Sequence, residues 1–346
     1  MDDLLLEKLT STQAPPNEES NLHSLLSKSI HPFVDNIEAL KNGSLVAVKR
    51  GSPGKCSLML DAHIDEVFAV VTGITDDGFL RFYSDSCDQK IFPGLKVIVH
   101  GNEQISGVIG VKPFHLINEE EAKKAFEIKD LFIDCGRSKD EVVNLVPVGS
   151  SVTFVPHYTK LSGNVSAKSL DDRVAVYIII ELMKRLSRIK PVVNIICHFA
   201  SQEEATGLGA TTSTYKLKPD FAIAIDVTHA TSPNVSTNIA PELGKGPVIF
   251  LGPTMDRLMV KKLSDVAAKY NIPLQKEVGI FSGTDATDIQ VVGGGVPVAV
   301  LGIPLRYMHS PNEVVNPNDV EQTINLLYLF VTEIDEDYME AIHGEH

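Results

Sequence analysis

The chain has 346 residues, 43% of them hydrophobic and 22% charged, with a formal net charge of −14. That size and balance describe a globular protein with room for one large domain and a smaller one, and they exclude a disordered chain. The acidic excess, 45 Asp and Glu against 31 Lys and Arg, argues against nucleic acid and anionic membrane surfaces as partners.

Met1-Asp2-Asp3-Leu4 lacks the basic segment and apolar run of a signal peptide. No apolar run approaches the ~20 residues that span a bilayer. Cys56, Cys87, Cys135 and Cys197 form no CxxC pair. They read as free thiols of a cytoplasmic protein rather than a zinc knuckle or redox motif.

Asp2 to Leu9 predicts a short helix, broken by Pro15-Pro16. Asn17 is expected to cap a second helix with Leu22, Leu25, Leu26 and Ile30 on one face, closed by Pro32. Leu45–Val48 and Ser57–Leu60 read as strands separated by a Gly51-Ser52-Pro53-Gly54 turn. The second strand delivers Asp61-Ala62-His63-Ile64-Asp65-Glu66.

From about Val67 to Pro156 the texture changes to short β segments and turns, which suggests a small barrel or sandwich. Examples are Phe68–Val71, the Asp76-Asp77-Gly78 turn, Leu95–Val99, Gly107–Gly110 and Val152–Val155. Asn118 to Lys124 reads as a short helix. This region is expected to be an inserted domain, residues 67–156, within a larger α/β fold built from residues 1–66 and 157–346.

The α/β texture resumes near Leu161. Asp172 to Leu186 has a helical pattern with Val176, Ile179, Ile180 and Met183 on one face. Val192 to Ala200 reads as a buried strand that delivers Ser201-Gln202-Glu203-Glu204. A helix is expected from Ala210 to Leu217. Phe221–Ile225 is a strand ending in Asp226, and Val248–Leu251 is another. Asp256–Lys269 is a helix, and the Val296–Leu301 strand leads to His309. The last helix has Asn316 as cap and Pro317 at its first position, and runs to about Ile334.

Four apolar β segments thus lead to a ligand-type residue: His63, Glu204, Asp226 and, after a short loop, His309. Asp171 opens the long helix. Two imidazoles and three carboxylates suit two borderline divalent cations, zinc foremost, with cobalt or manganese as alternatives. Each residue alone has an ordinary reading. His63 suits a core, Asp171-Asp172-Arg173 a helix cap with a surface pair, Asp226 a turn, and His309 or His229 a loop.

Several of these segments together resemble the tetrahedral (TET) and glutamyl aminopeptidases, a cytosolic family of co-catalytic metallopeptidases. They are Asp61-Ala62-His63-Ile64-Asp65-Glu66, Ser169-Leu170-Asp171-Asp172-Arg173, Gln202-Glu203-Glu204, Ala224-Ile225-Asp226-Val227, Gly283-Thr284-Asp285-Ala286 and Arg306-Tyr307-Met308-His309-Ser310-Pro311. The resemblance covers nearly the whole chain. It implies an α/β, mixed-sheet zinc-peptidase (phosphorylase/hydrolase-like) catalytic domain with an inserted small β-barrel-like domain. His63 and Asp226 would hold one metal and Glu204 and His309 the other, with Asp171 bridging. Glu203 would be the general base, and Asp65 would orient His63. The Asp171–Asp172 peptide would be cis. Asp285 is a candidate for the substrate's α-amine.

The implied activity is removal of N-terminal residues from short peptides. The inserted domain would mediate dimer contacts within a hollow assembly of twelve subunits. A metallo-deacylase, a deblocking enzyme or a cellulase-labelled relative is the alternative enzyme reading, and an inactive assembly protein the non-enzymatic one. Ser282-Gly283 and Ala205-Thr206-Gly207 depart from the family pattern at the substrate pocket and leave the proposed ligands intact.

Overall fold

The computed structural model describes residues 1–52, 56–116, 127–233, 235 and 240–344. The chain divides into two compact units. Met1–Asp65, Tyr158–Met308 and Asn312–His346 form the first; Glu66–His157 and His309–Pro311 form the second. The expected helix at Asn118–Lys124 lies outside the described residues, as do Pro53 and Gly54 of the expected turn.

The first unit is built on a mixed sheet. Along its main path the strands are Asn36–Ala39, Leu45–Lys49, Asn194–Ala200, Ser57–His63, Phe221–His229, Val298–Arg306, Glu313–Val315, Asn164–Ala167 and Tyr158–Leu161. Val248–Leu251 and Gln275–Val278 join at the side of the Val298–Arg306 strand. Four neighbouring central strands, Asn194–Ala200, Ser57–His63, Phe221–His229 and Val298–Arg306, run parallel. Their residues are buried almost throughout, the pattern expected of strands covered on both faces.

The helix Leu170–Arg185 lies against this sheet, and its residues are buried on nearly every side. The one-faced pattern read from the sequence understates this. Helices Asp3–Ser11, Ser20–Ile30 and Pro317–Thr332 pack over its outer side, so Val174, Ala175, Tyr177 and Ile178 are as buried as Ile179. Val174, Ile178 and Ile179 each contribute roughly 1.5–3 kcal/mol by leaving water. Arg173 is fully buried, not part of a surface pair. Its Nη1 donates to the Leu9 carbonyl at 2.6 Å and to that of Thr12 at 3.2 Å, which satisfies the end of the first helix.

Several helix ends follow the sequence. Asp2 caps the first helix, accepting from Leu4 and Leu5 N–H at 3.1 and 3.2 Å. Asn316 caps the helix that opens on Pro317. Asn17 does not cap the second helix. It adopts φ 74°, and the helix begins at Ser20 with Glu19 in the cap position. The Glu19 carboxylate also accepts from Gln202 N–H at 3.1 Å, a partner far along the chain that no local pattern reveals.

The second unit is a closed six-stranded barrel. In order around it run Ala69–Ile74, Leu80–Tyr83, Phe132–Asp134, Gln104–Gly110, Lys96–His100 and Ser151–Phe154. Alternate side chains such as Ile105 and Ile109 point inward, as strand periodicity requires. The helix Lys139–Leu145 was not expected from the β texture. Glu141 starts it by accepting from Ser138 N–H and Oγ–H at 2.9 and 2.7 Å, a local device that fixes a helix start.

Candidate metal and active site

Parallel strands share one carboxyl edge, where α/β sheets build their sites. His63 ends its strand in register with Ala200, so Asp65 and the Gln202-Glu203-Glu204 turn leave the sheet side by side. Ala224 pairs with Asp61, which brings Asp226 level with His63. The Asp226 strand does not end there: it continues to His229, because the Val298–Arg306 strand pairs with it as far as Leu305.

These placements gather the ligand-type residues. Side-chain atoms of His63, Asp171 and Glu204 lie within 4.8 Å of one another, as do those of His63, Asp172 and Asp226. His63 Nε2 is 3.1 Å from Asp171 Oδ1 and 3.9 Å from Glu203 Oε2. The Asp171–Asp172 peptide is cis, and Asp171 N–H donates to the buried Glu313 carboxylate at 3.0 Å.

The cluster is electrostatically costly without a counter-ion. Burial pushes the Asp172 and Asp226 carboxyls well above the usual range. Asp226 pushes Asp172 further, and Asp171 does the same to Asp226. Burial opposes charge on His63, but hydrogen bonds to Asp171 and Asp65 and the charge of Glu203 prevail and raise its pKa well above the ordinary value. Among the described residues, both Asp172 oxygens are buried without a hydrogen-bond partner. Orphaned carboxylate oxygens beside an imidazole are the donor set a divalent cation takes.

Asp65 does more than face His63. Its Oδ1 is 3.5 Å from His63 Nδ1. The same carboxylate accepts the N–H of Glu203 and of Glu204, each at 3.0 Å. One fully buried side chain thereby ties the end of one strand to the turn after its neighbour.

Asp285 is 2% exposed, and among the described residues neither carboxylate oxygen has a hydrogen-bond partner. Burial, then Asp61 and Glu203, raise its pKa well above the usual range. His309 belongs to the second unit, where its Nδ1 lies 2.6 Å from the Ser86 carbonyl. A carbonyl only accepts, so the neutral ring carries its proton on Nδ1 and its lone pair on Nε2. His229 is exposed at a strand end and, like His309, belongs to neither ligand group among the described residues.

A cavity of about 370 Å³ opens beside the turn, lined by Glu203, Glu204, Phe281, Thr284, Thr287 and Asp288 among others. Gly207, at φ 67°, makes room for Asp288, since a Cβ there would meet Asp288 Oδ2 at 2.2 Å.

The sequence model of the M42 glutamyl aminopeptidases matches residues 43–326. The chain belongs to this family. It is an aminopeptidase, a hydrolase acting on peptide bonds.

This M42 peptidase is 33% identical over 326 residues to the lysyl aminopeptidase of Pyrococcus furiosus, with 92% of each chain covered. Its fold matches a TET aminopeptidase from a marine sediment archaeon, Thaumarchaeota archaeon SCGC AB-539-E09. The TM-score is 0.93 with 26% identity, over 98% of each chain. It also matches the Pyrococcus horikoshii TET1 peptidase, which assembles into a tetrahedron or a large octahedral shell. There the TM-score is 0.84 with 31% identity, covering 96% of this chain and 99% of that one.

Sequence reading of the M42 chain missed Asp172 as part of the buried cluster, and it missed Asp61 and His198. His198 Nδ1 lies 2.5 Å from Asp61 Oδ1, both residues almost wholly buried. The alternation Asp61-Ala62-His63 carries a signal, since residues two apart on a strand share a face. Glu19 and Glu313 carry none, because the contacts that tie them to the site, to Gln202 and Asp171, are distant in sequence.

Proposed function

We propose that this M42 peptidase removes N-terminal residues from short peptides with water as nucleophile, two divalent cations as cofactors and Glu203 as general base. The observation that carries this is the pair of ligand groups sharing His63, with the Glu203 carboxylate 3.9 Å from the same imidazole. His63 and Asp226 would hold one cation, Glu204 and His309 the other, with Asp171 between them. Zinc suits these mixed donors, and cobalt and manganese suit them next. When bound, such ions lower the pKa of water and polarise the scissile carbonyl.

Glu203 then takes the water's proton as the oxygen bonds to the carbonyl carbon, and returns it to the leaving nitrogen as the C–N bond breaks. A positioned base of this kind contributes about 10²–10⁴-fold. Asp65 holds the backbone of the base in place. Asp285 offers buried, unsatisfied carboxyl oxygens to the substrate's α-ammonium, whose positive charge favours the ionised carboxylate, and that contact confines cleavage to the first peptide bond.

Neutral or basic first residues are favoured over acidic ones. The cavity beside Glu203 is lined by Asp288 and by no Lys, Arg or His among the described residues. The Arg306 Nε–H is already given to the Thr231 carbonyl at 2.5 Å.

No described helix is long and apolar enough to cross a membrane, and the four cysteines form no disulfide among the described residues. Both fit a cytoplasmic enzyme. The barrel unit is proposed to join copies into a closed shell of twelve, in line with a solved TET1 dodecamer and with the tetrahedron named for the Pyrococcus horikoshii relative.

The test pairs elemental analysis with a panel of fluorogenic aminoacyl, acyl-aminoacyl and glucan substrates, on wild type and Glu203→Gln. Aminoacyl cleavage with bound metal, and about 10²–10⁴-fold slower turnover in a folded, metal-bearing variant, is expected. Wild-type-like turnover in Glu203→Gln refutes the base assignment. A monodisperse monomer by light scattering under active conditions refutes the assembly.

A further inference from the structure

We propose that Glu19 is a positioning residue for the turn that carries Glu203 and Glu204, an inference that rests on the proposed roles of those two side chains. The turn presents three successive backbone N–H groups, from Gln202, Glu203 and Glu204. Two buried carboxylates receive them. Asp65 takes those of Glu203 and Glu204 at 3.0 Å each, and Glu19 Oε1 takes that of Gln202 at 3.1 Å.

Gln202 needs this support. Its φ is 61°, the left-handed region that a residue with a Cβ occupies reluctantly. Its carbonyl also closes the turn, accepting from Thr206 and Gly207 N–H at 3.0 and 2.9 Å. A shift at Gln202 therefore moves the next two residues, the proposed base and ligand.

Glu19 lies 183 residues away in sequence and is 1% exposed. It stands at the cap position of the Ser20–Ile30 helix but makes no side-chain cap bond to it. The carboxylate accepts from its own and the Asn17 backbone N–H, and the same buried group reaches across to the distant Gln202 amide. Burying that charge is costly unless its hydrogen bonds are made, so this placement calls for a purpose beyond helix capping.

The neighbouring loop is shaped to admit it. Gly43 has φ 97°, and a Cβ there would lie 3.1 Å from Glu19 Oε2 and 3.4 Å from Ser201 Cβ. Ser44 Oγ accepts Ser201 N–H at 3.1 Å, and Ser201 Oγ donates to the Asn42 carbonyl at 2.7 Å. Glu19 thus joins Asp65 and the Asn42–Ser44 loop in holding the turn.

The experiment uses the full chain with Glu19→Gln and Glu19→Ala, and Asp256→Ala as a control. Asp256 caps a remote helix, so its loss lowers stability without touching the turn. Hydrogen exchange is followed in peptides spanning residues 201–207, together with cobalt affinity, metal content, kcat and KM. In Glu19→Ala, exchange across the turn is expected to rise at least about tenfold. Its kcat per bound metal should fall about 10–100-fold with KM within about twofold, as for a misplaced catalytic group. Glu19→Gln, which keeps one acceptor oxygen, should fall between, and serves if Glu19→Ala does not fold.

Unchanged exchange and kcat in the Glu19 variants overturn the proposal. So does an equal loss in Asp256→Ala at matched stability. If the wild type cleaves no aminoacyl substrate, the functional reading fails, while exchange and cobalt affinity still decide whether Glu19 holds the turn.

Discussion

Asp65 Oδ1 accepts the backbone N–H of Glu203 at 3.0 Å. Its other oxygen does the same for Glu204, so one carboxylate fixes the backbone of two side chains with different proposed tasks. Asparagine at this position keeps the size but turns an NH₂ toward one of the two amides. Asp65→Asn is expected to lose about 10–100-fold in metal affinity or in kcat, the usual cost of removing a group that orients ligands. Calorimetric zinc titration and steady-state kinetics check it. Wild-type values in both would remove Asp65 from the machinery.

Metal removal should make stability strongly pH-dependent. In the metal-free chain Asp172, Asp226 and His63 all have raised pKa values. Each binds its proton more tightly folded than unfolded. Their stabilising contribution is therefore complete below the unfolded values, 3.8 for the acids and 6.5 for His63. It is lost as pH rises through the folded ones. The Tm of chelator-treated protein should fall from about pH 5 to 8, and added zinc should restore more at pH 8 than at pH 5. An equal zinc effect at both ends contradicts the clustering of these groups at one cation site.

Asp288 offers a test of side-chain preference. It borders the cavity beside Glu203 and fits there because residue 207 is glycine. Asp288→Asn should lower the ratio of kcat/KM for lysyl over glutamyl substrates by about tenfold, the effect of roughly 1.4 kcal/mol. An unchanged ratio assigns the preference to other residues.

Asp319 should set a separate, acid-side dependence. Its carboxylate accepts Gly244 and Gly246 N–H at 2.7 Å each, and burial raises its pKa to about 6. Its contribution is fully present below the unfolded value near 3.8 and is lost as pH rises through about 6. Wild type should therefore gain stability on Asp319→Asn as pH falls from 7 to 4, by at most about 3 kcal/mol. Urea unfolding of both proteins across that range measures the gap. A pH-independent gap refutes the assignment.

Strand and helix signals proved the most legible. Ser57–His63, Asn194–Ala200 and the Pro317 helix follow local patterns of apolar period, branching and capping. The barrel followed from its short alternating strands, although the capped helix at Lys139–Leu145 passed unread. Asn17 failed as a cap because it takes φ 74° and its backbone N–H is bonded to the Glu19 carboxylate, so the helix starts two residues later than a lone cap preference suggests. Asp172 and Arg173 were open to a surface reading because charged residues are rarely buried. The structure buries both.

Residue type and spacing alone determined that acids and imidazoles would stand at the ends of buried strands, since those signals are carried within a few residues. Which of them share one space was decided only by the register of parallel strands far apart in sequence. Ala200 beside His63 and Ala224 beside Asp61 set that convergence. A carboxylate such as Glu19 or Asp65 acquires its partner only when the fold closes around it, because a hydrogen bond to a distant amide leaves no trace in local sequence.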